Sequence, residues 1–396
     1  MKLNREKKLL LITILMIAAV QMPQQALTPA IETIVKTTSW NRSLAEVQDA
    51  FALVNIFIPA AGLLTAFFIG RGIITKRGAI IGGLFGLGAT AACALVLHNE
   101  FWQLRLLSVI LGISIGSFIV NTTSVMFDSF NAGEREKIAG FQTAFVSSGG
   151  FLLSLVGGAL AARVWYGGYF VLLLGIPIAV FAYFAVPKRP APKKAAGTKA
   201  SKLPGDVYYY SAVLFVFFML FTTSGMNIST HLAQANADNP ALAGAAVAVQ
   251  MGGGAIAGLV FGKLSPKLGD YIMVLGCGLL ALGFALLGAA PQSVPVAFVS
   301  VFIVGTSMSL LAPRTVFAVS GYTDESNSSL ASGISQSVAP SLGGFLTPVI
   351  ITRVTEKLFG DSTASRFLFT SVLAVVFAAV VALITRRRSR KIAETV

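Results

Sequence analysis

Apolar runs of about twenty residues, divided by short polar stretches, recur along the chain from one end to the other. Each run is long enough to cross roughly 30 Å of hydrocarbon as a helix. Helix is the expected form, because backbone polar groups in lipid must bond within their own segment. The pattern predicts twelve spans, over 9–34, 45–69, 78–97, 104–127, 138–161, 167–186, 208–231, 242–263, 270–290, 295–318, 330–352 and 367–385. The first run is too long, and is followed by too many others, to read as a cleaved leader.

The first run breaks its own pattern. After LLLITILMIAA it reads VQMPQQALTP over Val20–Pro29. Taken as one helix at about 100° per residue, Gln21, Gln24, Gln25, Thr28 and Glu32 share an arc of about 100°, opposite Leu, Ile, Met and Ala. A polar stripe in a membrane must face protein or a water-filled path. Pro23 and Pro29 remove backbone donors, which is tolerated where neighbours or water satisfy the freed carbonyls. The stripe is therefore expected to line a wet path and touch a solute; interhelical hydrogen bonding is the alternative.

Other spans carry polar residues of the same kind. In span seven Thr223, Asn227 and Thr230 share a face, with His231 near its outer end. Asn55 lies in span two beside Pro59, Asn121 in span four, Gln142 in span five and Gln250 in span eight. Spans three, six, nine and twelve are poorer in polar groups. The expected solute-contacting set is Gln21, Gln24, Gln25, Thr28, Asn55, Thr223, Asn227 and Gln250, with Arg314 of span ten for a charged solute.

Composition strengthens the membrane reading. Hydrophobic residues make up 55% of the 396 positions and charged residues only 12%, against about 25% charged in soluble domains. The net charge of +14 raises nucleic acid as a partner, but its distribution argues against that. With the N-terminus in the cytoplasm, 22 of the 30 basic residues fall on the inner side and seven outside, Arg353, Lys357 and Arg366 among them. This positive-inside asymmetry places both termini in the cytoplasm. The basic runs can also touch anionic lipid. Cys93 and Cys277 lie in apolar spans and read as inert buried thiols.

The chain is also duplicated. Gln142-x4-Ser147-x-Gly149-Gly150-Phe151-Leu152 recurs 194 residues later as Gln336-x4-Ser341-x-Gly343-Gly344-Phe345-Leu346. RGIITKRG after span two (71–78) is echoed by GKLSPKLG after span eight (262–269). Between the halves lies PKRPAPKKAAGTKASKLPGDV, whose Pro, Lys, Ala and Gly content suits a flexible tether. The expected organisation is a six-helix bundle over 1–186, a basic cytoplasmic linker over 187–207 and a second bundle over 208–396.

With this topology, duplication and central loop, the whole chain resembles the major facilitator superfamily. The resemblance implies an all-α integral membrane fold of twelve helices in two pseudo-symmetric bundles, rocking about a midplane site. The family's loop between the second and third helices reads G-x-L-x-D-R/K-x-G-R/K-R/K. The second copy keeps Gly262, Leu264, Lys267 and Gly269, and the first keeps Lys76 and Gly78; Thr75 and Pro266 replace the acid. In the family that loop locks the inner gate by pairing with an acid at the foot of the fourth helix. The resemblance therefore points to Lys76 or Arg77 with Asp128 as a latch, with solvated surface charges as the alternative.

Two further likenesses bear on direction and substrate. Gly140, Gly149, Gly157 and Gly158 fit four of six positions of the family's antiporter signature, G-x8-G-x3-G-P-x2-G-G, with Leu153-Ser154 replacing the Gly-Pro pair. LPGDVYY and AIAGLVFGKLSPKL look like bacterial drug- or sugar-efflux permeases, whereas WNRSLAEVQDAFAL looks like oxalate/formate and monocarboxylate carriers.

Enzyme and pump signatures are missing. The sequence has no Gly-x4-Gly-Lys-Ser/Thr loop, no His-Glu-x-x-His pair and no Cys-x-x-Cys. An enzyme, a cofactor and a bound metal are not expected. For proton coupling the acid and His candidates are Glu32, Asp49, Asp128, His98 and His231; Glu32 is favoured because it shares the glutamine face. The expected protein is a monomeric, multi-pass transporter of the inner (plasma) membrane, exchanging a small organic solute for protons, most simply outward. A small-carboxylate carrier using Arg314, and a non-transporting receptor or scaffold, are the alternatives.

Overall fold

The computed structural model describes residues 4–188, 203–323 and 328–395. Most of the predicted basic linker, residues 189–202, lies outside the described residues. Among the described residues the chain is helical throughout and has no strand. Eleven helices among the described residues are long and apolar enough to cross a membrane, or twelve with the bent first pair taken as one span. The protein is an all-α, multi-span membrane protein.

The first crossing is α1 (Arg5–Ala19), two 3₁₀ turns (Pro23–Ala26 and Thr28–Ala30) and α2 (Ile31–Thr37). Then come α3 (Leu44–Gly70), α4 (Lys76–Ala94), α5 (Phe101–Ser129) and α6 (Ala132–Ala161). A 3₁₀ segment (Trp165–Leu174) runs into α7 (Gly175–Ala185) as the sixth crossing. The second half has α8 (Gly205–Gln234), α9 (Pro240–Leu268), α10 (Tyr271–Ala289) and α11 (Val294–Gly321). Its next crossing is interrupted: α12 (Ser328–Gly333), α13 (Ala339–Leu346) and α14 (Arg353–Phe359) are joined by π-helical turns, and α15 (Thr363–Thr395) closes the chain.

Local chemistry fixes where these helices begin. Ser43 and Glu46 form a reciprocal capping box at α3, the Glu46 amide donating to Ser43 Oγ (3.3 Å) and the Ser43 amide to Glu46 Oε2 (3.0 Å). Asn131 and Glu134 repeat the device at α6. Each box satisfies two amide donors that a helix start leaves open. One boundary differs from expectation. GKLSPKLG, the second loop copy, is helical to Leu268, with Pro266 in the last turn, and the chain turns only at Gly269, where φ is +55°. The first copy leaves the helix at Gly70 and re-enters at Lys76, so the two loops share sequence more than backbone path.

The described residues form two compact units. One comprises Met1–Gly197 with Pro240–Ala248, the other Thr198–Asn239 with Val249–Val396. The repeat is visible as a packing device inside each. A Cβ on Gly149 of α6 would lie 2.0 Å from the carbonyl oxygen of Ala19, at the end of α1. A Cβ on Gly343 of α13 would lie 2.3 Å from that of Phe215 in α8. The same repeat position thus lets a helix backbone press directly on the leading helix of its own half. Only glycine permits that approach.

Candidate functional site

The first crossing is broken where the glutamines lie. The α-helix stops at Ala19, and the chain resumes at a 43° angle through the two 3₁₀ turns. Pro23 opens the first of those turns and Pro29 is the second residue of the other, as expected of residues that cannot donate to a continuing helix. This corrects the single-helix reading: 3.6-residue periodicity does not run through 20–30, so Gln21, Gln24, Gln25, Thr28 and Glu32 do not share a face by that rule. What the break produces is different. Gln24 Oε1 and Thr28 Oγ1 are buried and have no hydrogen-bond partner among the described residues. Gln21 and Gln25 are half-buried beside them in sequence.

The unwound segment is held from behind by glycines. A Cβ on Gly157 of α6 would stand 2.4 Å from the Ala26 carbonyl, and one on Gly168 would stand equally close. Two members of the antiporter-like spacing, Gly149 and Gly157, therefore contact the two ends of the break. Glu32, only 8% exposed, lies in the first turn of α2, and its Oε1 is 3.2 Å from Lys36 Nζ. Asn55 is half-buried on α3.

In the second unit part of the polar stripe of α8 is engaged by its own neighbours, whereas Thr230 Oγ1 is buried with no partner among the described residues. Gln250 Oε1 accepts from Ser224 Oγ (3.1 Å), Thr223 is fully buried, and the Asn227 amide donates to the Thr223 carbonyl (2.9 Å). Asn227 Oδ1 accepts from Arg366 Nη1 at 2.6 Å. Arg366, counted among the outer-side basic residues, is fully buried on the first turn of α15, the largest such side chain among the described residues. His231, near the predicted outer end of its span, is 1% exposed, with Nδ1 2.9 Å from Thr363 Oγ1. Thr363 donates its own hydroxyl proton to Gln234 Oε1 (2.6 Å). In the neutral ring Nδ1 must therefore carry the hydrogen, leaving Nε2 a buried acceptor with no partner among the described residues.

One of the two pairings considered for a latch is formed in the first unit, and the second unit holds a charged pair that the sequence did not suggest. Lys76 Nζ lies 2.6 Å from Asp128 Oδ2, joining the start of α4 to the end of α5. Arg77 turns away, donating to the Tyr183 carbonyl and stacking on its ring at 4.4 Å. In the second unit the polarity reverses. Asp270, just before α10, accepts from Arg314 of α11 through Nε and Nη2 (both 2.8 Å) and from the Tyr210 hydroxyl (3.1 Å). Arg314 is thus neutralised inside its own unit. Sequence reading passed over Asp270; its signal was an acid directly after the turn glycine and directly before an apolar run.

A sequence model of the Major Facilitator Superfamily matches residues 9–209 and again 210–395. The chain belongs to that superfamily. Solved facilitator folds align over nearly all of it. The POT family transporter PepTSo gives a TM-score of 0.77 at 13% identity, covering 98% of this chain and 99% of that one. The nucleoside transporter NupG gives 0.73 at 14%, with 96% and 99% covered. A bacterial homolog of the human lysosomal transporter Spinster gives 0.71 at 14%, with 97% and 98% covered. At such identities the likeness is one of fold. Sequence comparison with curated proteins gives no match. Membership of that superfamily makes this chain a transporter.

Proposed function

We propose that this facilitator moves a small organic solute across the inner (plasma) membrane by alternating access, outward and in exchange for protons. The observation that carries the reading is the pair of buried, unpartnered oxygens on the unwound first crossing, Gln24 Oε1 and Thr28 Oγ1. A buried acceptor without a donor costs about 1–3 kcal/mol, a cost that a solute hydroxyl, amine or amide would offset on binding. Gln21, Gln25 and Asn55 complete the solute-contacting set in the first unit. Uncharged groups of this kind suit neutral or amphipathic compounds, in keeping with the likeness to drug and sugar efflux permeases. Glu32, adjoining the segment, is the proton-carrying carboxylate in this reading.

Thr223, Asn227 and Gln250 act in the second unit through their own hydrogen bonds, as supports more than as free ligands. Lys76 with Asp128 serves as the inner latch. The basic asymmetry puts both termini in the cytoplasm, with anionic lipid against the basic ends and the protein working as a monomer. The carboxylate-carrier alternative gains nothing from Arg314, because Asp270 already occupies its guanidinium.

The test is transport in liposomes loaded with a pH-sensitive dye. Amphipathic drugs, sugars and short carboxylates are added under an imposed pH gradient, with empty liposomes as controls. Proton movement driven by one compound class supports exchange and gives its sign. Solute counterflow without proton movement replaces exchange by facilitated diffusion. Binding without any flux replaces the transporter by a receptor or scaffold.

A further inference from the structure

The second unit buries a charge completely. Arg366 is 0% exposed, and its guanidinium is held by Asn227 Oδ1 (Nη1, 2.6 Å), Thr355 Oγ1 (Nε, 3.1 Å) and Glu356 Oε1 (Nη2, 3.5 Å). Two of these acceptors are neutral, and among the described residues Glu356 is the carboxylate bonded to it. A buried cation stripped of its carboxylate is strongly destabilised. The two partners differ in access, since the Glu356 side chain keeps 21% of its exposure. A proton from solvent can reach the acid without reaching the base.

The surroundings are specific. Arg353 and Lys357 flank Glu356 on α14. Asp361, in the turn before α15, acts electrostatically on Arg366 and receives a hydrogen bond from Gln234 Nε2 at its backbone oxygen. From α8 the titratable group is His231, bonded to Thr363 one turn before Arg366. Asn227 with Arg366, and His231 with Thr363, thus form two rungs joining α8 to α15, while Thr355 and Glu356 tie α14 to the same guanidinium.

We propose that Glu356 is a proton-responsive switch, distinct from Glu32, that controls how α8 packs against α14 and α15. The carboxylate takes one proton from solvent to become the neutral acid; no other bond is made or broken. Arg366 is then left with neutral acceptors, and the rungs loosen so that its charge can find water or Asp361. Arg366 and Asn227 are positioning residues here. The inference rests on the proton-exchange reading for its role in transport, but the switch itself is measurable without a solute.

The experiment is hydrogen–deuterium exchange on the purified full-length protein at pH 8 and pH 5, corrected for intrinsic exchange rates. Peptides covering 223–234 and 353–366 are expected to exchange at least tenfold faster at pH 5, with α3–α5 peptides unchanged as the internal reference. Glu356→Gln should exchange fast at both pH values, and Glu356→Asp should restore the dependence. Equal corrected rates at both pH values in the unmodified protein overturn the switch, as does a pH dependence that survives in Glu356→Gln. If Glu356→Gln does not fold, the unmodified protein and Glu356→Asp still decide. An absence of solute-driven proton flux in liposomes refutes the exchange reading instead, and leaves this measurement standing on its own.

Discussion

The first crossing and α8 open the two halves of the duplicated chain, and both bring a run of amides and hydroxyls into the membrane. They use them in opposite ways. In the first crossing two prolines break the helix, glycines grip the unwound backbone, and Gln24 Oε1 and Thr28 Oγ1 are left buried without partners. In α8 the helix is unbroken, and Asn227, His231 and Gln234 are tied to α15 and the turn before it, around a buried arginine. Similar polar content thus lies on an unwound backbone in one half and on a helix cross-linked to α15 in the other, where Ser229 Oγ, Thr230 Oγ1 and His231 Nε2 also lack partners among the described residues. Cross-links to a neighbouring helix, more than the presence of polar residues, separate the two faces.

The largest effect that would sharpen this contrast is on stability. Arg366→Ala removes the buried guanidinium bonded to Glu356, Asn227 and Thr355, and should cost about 3–5 kcal/mol, read as a large fall in melting temperature in detergent. Next is the converse on the other side. Gln24→Leu with Thr28→Val should lower solute transport at least tenfold while melting stays level or rises, because about 1–3 kcal/mol of unsatisfied burial is relieved per group. A melting loss as large as that of Arg366→Ala would erase the distinction between the halves.

The gate pairs come third. Asp270→Asn weakens contacts to both Arg314 and Tyr210 and should slow transport more than Lys76→Ala, which removes one partner from Asp128. Both pairs are partly exposed, so each is worth about 1 kcal/mol or less in stability. The Lys76→Asp, Asp128→Lys double exchange should recover rate that either single change loses. Failure of that recovery would remove the pair as a latch.

The smallest effect concerns Lys7 and Glu134, 3.0 Å apart at the feet of α1 and α6. The Lys7 ammonium, aided by the Asn131 amide, holds the Glu134 carboxyl below its ordinary value of 4.5. The pair's contribution is therefore full above that value and is lost as pH falls through the lowered one. Lys7→Ala should remove that sliver of acid sensitivity and change melting at neutral pH hardly at all.

Several features were readable before any coordinates. Hydropathy marked every crossing, because twenty-residue apolar runs have few other uses. The 194-residue repeat at Gly149 and Gly343 pointed to equivalent helices, and the structure shows both glycines pressed on the leading helix of their own half. Lys76 and Asp128 could be paired through the family's loop pattern. The burial of Arg366 was not legible, because a basic residue at the edge of an apolar run looks the same whether it faces water or a neighbouring helix. Asp270 was missed for a related reason: its partner lies 44 residues away.

The sequence by itself determined that this chain crosses a membrane about twelve times and that it is duplicated; the break in its first crossing, read there as one helix, came from the structure. The first two properties follow from transfer free energy and internal repetition, which act locally. Only the tertiary structure decided which polar groups are satisfied. Gln24 and Asn227 are both amides in the leading helix of a half, yet one amide oxygen lacks a partner and the other holds a buried guanidinium. That difference depends on which helix packs alongside, and hydrogen bonds between residues more than a hundred positions apart are set by packing, not by the run of sequence around either one.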